Sequence, residues 1–205
     1  MRRLLFLSTL LLSVFAGVAQ ASPIQFSAVL TGPNEAPPVA SPGTGLALVT
    51  IDPIAHTMLV EANFLDLLGT TTAAHIHVIN GPLDANQGDT VGPVATTTPS
   101  FPGFPLGVMS GTFVNQFDMT LAGSFNPAFV TATGSVAAAE AALFLAILEG
   151  RAYFNIHSNP FAGGEIRGFL QPVAVAAVPE PGTIALLGTG LALLAARQVR
   201  RRRVR

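Results

Sequence analysis

The sequence predicts an all-β body: an antiparallel β-sandwich of Greek-key type with one short helix near residues 136–149. A signal peptide flanks it on the N-terminal side and a hydrophobic helix on the C-terminal side. Three observations carry this expectation. Glycine (20) and proline (16) are frequent in the 205 residues, which suits a chain of many turns. The apolar runs between residues 24 and 173 are short, alternate with polar residues and stop at Gly or Pro. Only one stretch has the composition and length of a good helix.

The elements follow in order. IQFSAVLT (24–31), GLALVTID (45–52) and HTMLVEANF (56–64) read as strands, the last two joined at Pro53-Ile54-Ala55 by a hairpin turn. AAHIHVI (73–79) is a further strand. Residues 81–107 form a long excursion rich in Gly, Pro and Asp. GVMSGTFV (107–114) and the run from Phe117 to Ala122 are strands or strand edges. SVAAAEAALFLAILEG (135–150) is the helix, with Ser135 to cap it and Gly150 to end it. RAYFNIHS (151–158) and EIRGFLQPV (165–173) close the body.

Composition excludes several functions. There is no cysteine, so disulfides, thiolate metal sites and cysteine nucleophiles are ruled out. There is no lysine either. Of the ten arginines, only Arg151 and Arg167 lie between residues 22 and 181, against eleven acids, a net of −9. Such a body has nothing to replace the counterions of DNA or RNA, so no nucleic-acid partner is expected. GFPLGVMSG and GPLDANQG lack the helix and lysine of a phosphate loop, and no G-x-S-x-G elbow occurs. Asp84 and Asp89 lack the calcium-loop pattern. Asn34-Glu35 sits in a Pro-rich turn, where a solvated acid is expected. His56 opens a strand and is expected to be exposed.

The two ends are addressing segments. Arg2 and Arg3, an apolar stretch from Leu4 to Val18 and the small-x-small site AQA describe a signal peptide over residues 1–21, cleaved before Ser22. At the other end, residues 174–181 form a linker carrying Pro179, Glu180 and Pro181. Residues 182–196 form a short uncharged transmembrane helix, and residues 197–205 a basic cytoplasmic tail. At about 1.5 Å per residue the helix spans roughly 23 Å, short of the roughly 30 Å hydrocarbon core, so insertion requires bilayer thinning or snorkelling flanks. This tripartite end, VPEPGTIALLGTGLALLAARQVRRRR, resembles the bacterial PEP-CTERM sorting signal. The resemblance implies processing by an exosortase, a transient anchor in the inner membrane, and release or attachment at the cell surface of a Gram-negative-type bacterium.

Three blocks of the body carry a second resemblance: FSAVLTGPNEAPPVASPGTGLALVTID, AAHIHVINGPLDANQGDTVGPV and LAILEGRAYFNIHSNPFAGGEIRGFL. In this order they resemble the CHRD domain, over residues 24–173 here. The family implies an extracellular β-rich module with a binding or structural role.

Side chains alternate along a strand, so His75 and His77 share one face, opposite Ala74, Ile76 and Val78. Likewise Asn155 and His157 lie opposite Phe154 and Ile156. If these strands are neighbours, His75, His77, His157, Glu165 and Arg167 form one polar cluster, over which Asp84 and Asp89 could close. In the plainer reading the histidines bond loop carbonyls and fix the 81–107 segment, with Glu165 paired to Arg167 or Arg151. In the sharper one they bind zinc or copper, since imidazole suits both metals. The H-x-H pair, the later histidine and the distant arginine then resemble copper-zinc superoxide dismutase, without its cysteines. Shared ligation requires the three imidazoles to approach within about 4 Å.

The chain thus reads as a secreted, surface-sorted, non-catalytic module of the cell envelope or extracellular matrix. Its expected partners are an exosortase, the membrane, and an extracellular protein or polysaccharide. The alternative is a histidine-coordinated metalloprotein, an oxidoreductase of superoxide-dismutase type.

Overall fold

The computed structural model describes residues 23–79, 91–173 and 181–203. The expected signal peptide (1–21), Asp84, Asp89, and Pro179 with Glu180 lie outside the described residues. The body and the C-terminal helix are separate compact units.

The body is built on strands β1 (Ile24–Thr31), β2 (Thr44–Asp52), β3 (Thr57–Leu65), β4 (Thr71–Val78), β5 (Gly111–Asp118), β6 (Ala152–Ser158), β7 (Phe161–Phe169) and the short β8 (Gln171–Pro172). All pair antiparallel in one sheet of order β4-β6-β7-β1-β2-β3-β5, with β8 beside β1. The sheet curls into a sandwich-like half-barrel, so the all-β antiparallel expectation holds.

Alternation decides what faces inward. Phe26, Ala28 and Leu30 of β1, Val49 and Ile51 of β2, Met58, Val60 and Phe64 of β3, and Phe113 and Phe117 of β5 join Ile76, Phe154, Ile156 and Ile166 in one apolar core. The β2–β3 turn closes on Asp52, whose Oδ1 accepts from the N–H groups of Ile54 and Ala55 at 2.9 Å each. β5 is one strand where the sequence suggested two. The polar pair Asn115-Gln116 that interrupts the apolar run lies within the strand paired to β3, between inward Phe113 and Phe117.

Among the described residues two helices, not one, pack on the body. The expected one is α2 (Val136–Leu148), capped by Ser135, whose hydroxyl accepts from the Ala138 N–H. Its Leu143, Ala146 and Ile147 are buried in the core. α1 (Pro127–Thr133) precedes it, with Asn126 as cap, Pro127 in its first turn and left-handed Gly134 at its end. Its seven residues are too few to display a helical period, so cap chemistry was its only signal in the sequence.

The C-terminal unit is helix α3 (Pro181–Arg202), which contains the span 182–196 and runs into the arginines. Among the described residues, no single helix is long and apolar enough to cross a membrane.

Candidate metal centre

β4, β6 and β7 bury a second face, opposite the apolar core. Register places His75 beside Asn155, Asn155 beside Arg167, and Arg167 beside Thr31. One row along, His77 lies beside Tyr153 and Tyr153 beside Phe169, while His157 lies beside Ala73. β6 is therefore buried on both faces, every residue of it. Among the described residues, two segments cover this polar face. Residues 91–101 run along the free edge of β4, with Ala95 N–H bonded to Ile76 O and Phe101 N–H to Ala74 O. The turn after β1 covers β7, where Arg167 Nε donates to Asn34 O at 2.5 Å and Asn34 Nδ2 donates to Arg167 O at 3.2 Å.

The structure brings His75, His77 and His157 together, all buried, with one ring nitrogen from each within 4.8 Å of the others. The closest pair, His75 Nδ1 and His157 Nε2, is 3.3 Å apart. Each ring also meets a backbone carbonyl: His75 Nε2 at Pro99 O (2.8 Å), His77 Nδ1 at Gly92 O (2.9 Å) and His157 Nδ1 at Ala162 O (2.9 Å). A carbonyl only accepts, so these three nitrogens carry the protons. The nitrogens left with lone pairs are His75 Nδ1, His77 Nε2 and His157 Nε2. His77 Nε2 is buried with no hydrogen-bond partner, and the two lone pairs of His75 and His157 point at each other.

Burial is the main reason these rings stay neutral. It lowers the pKa of His75 to about 4, with the neighbouring His157 adding to the effect. It also lowers His77 to about 4, where the Gly92 carbonyl opposes it, and it lowers His157.

These features fit a transition metal ion. Neutral imidazoles are the protonation state that ligates, and each ring's second nitrogen donates to a carbonyl, as in known histidine metal sites. Two ligands about 2.05 Å from a tetrahedral ion lie about 3.35 Å apart, which matches the closest pair. The 4.8 Å span is wider than the expected limit of about 4 Å, so the three rings as placed are looser than shared ligation requires.

Of the remaining residues expected in the cluster, Arg167 is present and Glu165 belongs elsewhere. Arg167 is buried, with its Cζ 4.8 Å from the centre of the Tyr153 ring, and that ring stacks on His77 at 4.9 Å. Glu165 pairs with neither Arg167 nor Arg151. Its carboxylate accepts from Ser41 Oγ (2.6 Å), Leu68 N–H (2.5 Å), Gly69 N–H (3.3 Å) and the Ser158 hydroxyl, which tie β7 to two loops. Arg151 instead meets Glu149 and the Ile79 carbonyl. His56 is half-exposed, as its place after a turn suggests, but its Nδ1 also bonds Glu140 of α2 at 2.9 Å.

Glu35 overturns the expectation of a solvated turn acid. It is 3 % exposed because the turn that carries it folds back on β7. Its Oε2 lies 3.9 Å from Arg167 Nε, and burial raises its pKa to about 7 against the pull of that arginine. Tyr153 was also missed. Its place four residues before His157 on one strand, hence on the same face, was the signal that could have found it.

Comparison with known proteins places a PEP-CTERM protein-sorting motif at residues 177–202. This motif marks an exported protein that an exosortase processes, bound for the cell envelope or the extracellular space. No curated protein and no solved structure matches the chain significantly. The CHRD domain profile matches residues 26–170, which include all three histidines and most of the chain, and the protein therefore belongs to the CHRD domain family.

Proposed function

We propose that this surface-sorted CHRD protein binds one divalent transition metal ion, zinc or copper, through His75, His77 and His157, and that the loaded domain plays a binding or structural role outside the cell. The observation that carries the reading is the convergence of three buried imidazoles, one nitrogen of each within 4.8 Å of the others, with a nitrogen of every ring committed to a carbonyl. Buried acceptors facing one another repel unless a cation or donor sits between them. An ion there would join β4 to β6 and steady the 91–101 segment through Gly92 and Pro99. Three protein ligands leave a fourth tetrahedral position for water or an exogenous group. The helix 182–196 would hold the domain outside the inner membrane until the exosortase acts.

Elemental analysis and a zinc titration of the purified chain test the metal reading. The expected result is one ion per chain and a melting temperature that rises with added zinc. His77→Ala and His157→Ala should weaken zinc by more than the roughly 10–100-fold that loss of an outer-shell partner costs. Wild-type protein with no stoichiometric zinc or copper and an unchanged melting temperature would refute it.

A further inference from the structure

Among the described residues, three buried side-chain atoms have no hydrogen-bond partner, and all three belong to the polar face: His77 Nε2, Glu35 Oε1 and Asn155 Oδ1. The metal reading accounts for the first. The other two meet at Gly164. This residue has φ +130°, and a Cβ there would collide with both Glu35 Oε1 and the Asn155 amide. Asn155 Nδ2 donates to Gly163 O at 3.3 Å, which fixes the amide and makes the free atom an oxygen. Both acceptor oxygens border this one buried spot, and a protonated carboxyl there would give the pair the donor it lacks.

Glu35 is also coupled to the histidines by position. Asn155 is the register partner of His75 on one side and of Arg167 on the other. Arg167 lies beside Glu35 and over Tyr153, and Tyr153 stacks on His77. Among the described residues, the charged or titratable groups on this face besides Glu35 are Arg167 and Glu165 of β7, Tyr153 and His157 of β6, and His75 and His77 of β4. Glu165 is turned to its own four donors. Arg167 is thus the cation that faces Glu35, and a divalent ion at the histidines would add a second positive centre to the same low-dielectric face.

We propose that Glu35 is the proton-linked counter-charge of the three-histidine centre: protonated and hydrogen-bonded to Asn155 Oδ1 before metal uptake, and ionised after it. The inference rests on the metal reading above. Each ion that enters expels one proton from the Glu35 carboxyl to solvent, and the carboxylate left behind offsets part of the ion's charge. No bond other than O–H is broken. The neutral histidines supply no proton near neutral pH. Metal and proton therefore compete through Glu35, and affinity falls as the medium acidifies.

The test is a zinc competition titration of the full-length chain in detergent at pH 5.5, 6.5, 7.5 and 8.5, on wild type and Glu35→Gln. Wild-type affinity should rise about tenfold from pH 5.5 to 6.5, the slope for one displaced proton, and flatten above neutrality. Glu35→Gln keeps the shape and the hydrogen bond to Asn155 but has no proton to lose, so its affinity should not change between pH 5.5 and 6.5. If Glu35→Gln keeps the wild-type slope, the proposal is wrong while the metal reading stands. If wild type binds no zinc at all, the metal reading itself fails. Wild type alone gives a second measurement, should the variant not fold. Infrared difference spectra at pH 6 should show the carbonyl stretch of a protonated carboxyl disappear when zinc is added, and its persistence would overturn the proposal.

Discussion

At the scale of single residues, the polar face stores opposed titrations. His75 and His77 hold pKa values of about 4 in the fold against 6.5 in an open chain, and His157 is lowered as well. A group depressed in this way adds stability above its unfolded pKa and loses it as pH falls towards the folded value. Glu35 acts in the other sense. Its pKa rises from 4.5 to about 7, so its contribution is full below pH 4.5 and is lost as pH climbs to 7. Each group contributes a slope of at most about 1.4 kcal/mol per pH unit. From pH 4.5 to 6.5 the histidines outnumber the acid, so the stability of chelator-treated protein should rise with pH. Above pH 6.5 the fading histidine slope and the opposing Glu35 slope nearly cancel, and stability should level off. Thermal melts in chelator from pH 4.5 to 8 check this, and a midpoint that falls steadily from 4.5 to 6.5 would contradict it. Glu35 is also where the sequence was least legible. A turn written Asn-Glu-Ala-Pro-Pro looks solvated because local composition cannot report that β7, some 130 positions later, will cover it.

At the scale of elements, alternation was the legible part. It put His75 with His77 and His157 with Asn155 from the sequence alone, because a strand admits only two faces. What it could not supply was the partner of each strand. The pairing of β4 with β6 arises from residues 71–78 meeting 152–158, and only that pairing turns two histidine fragments into one cluster. Nor could it identify the 91–101 segment as the source of the carbonyls, since Gly92 and Pro99 are ordinary loop residues. This segment acts through Tyr153. The Tyr153 hydroxyl accepts from Gly92 N–H at 3.1 Å, and Gly92 O accepts from His77. Tyr153→Phe keeps the ring stack but leaves the Gly92 N–H unpaired, a loss of about 1–3 kcal/mol. Zinc affinity should drop about tenfold, the low end of the effect of losing an outer-shell partner. Competition titration reads it, and an unchanged affinity would show that the tyrosine does not support the site.

At the scale of the whole molecule, the chain joins an acidic β-rich body to arginine-bearing ends, the C-terminal one carrying the sorting motif, and each part was legible for a different physical reason. The ends are written in charge and hydropathy, which need no tertiary structure to be read. The sorting reading predicts that alanines at Pro179, Glu180 and Pro181 leave uncut full-length chain in the inner-membrane fraction. Immunoblots of fractionated cells check this, and normal processing of that variant would exclude the motif as the recognition element. The body carries a different consequence. β1 completes its ladder with β2 near in sequence, but its other edge receives Arg167 of β7 and then Gln171 and Pro172 of β8. Among the described strands, the first is therefore closed by the last. Contacts of such long sequence separation form late and slowly, because the loop they close costs entropy before any contact rewards it. A chain with this topology stays open until nearly all of it has emerged, a state that a protein threaded through a membrane has to keep.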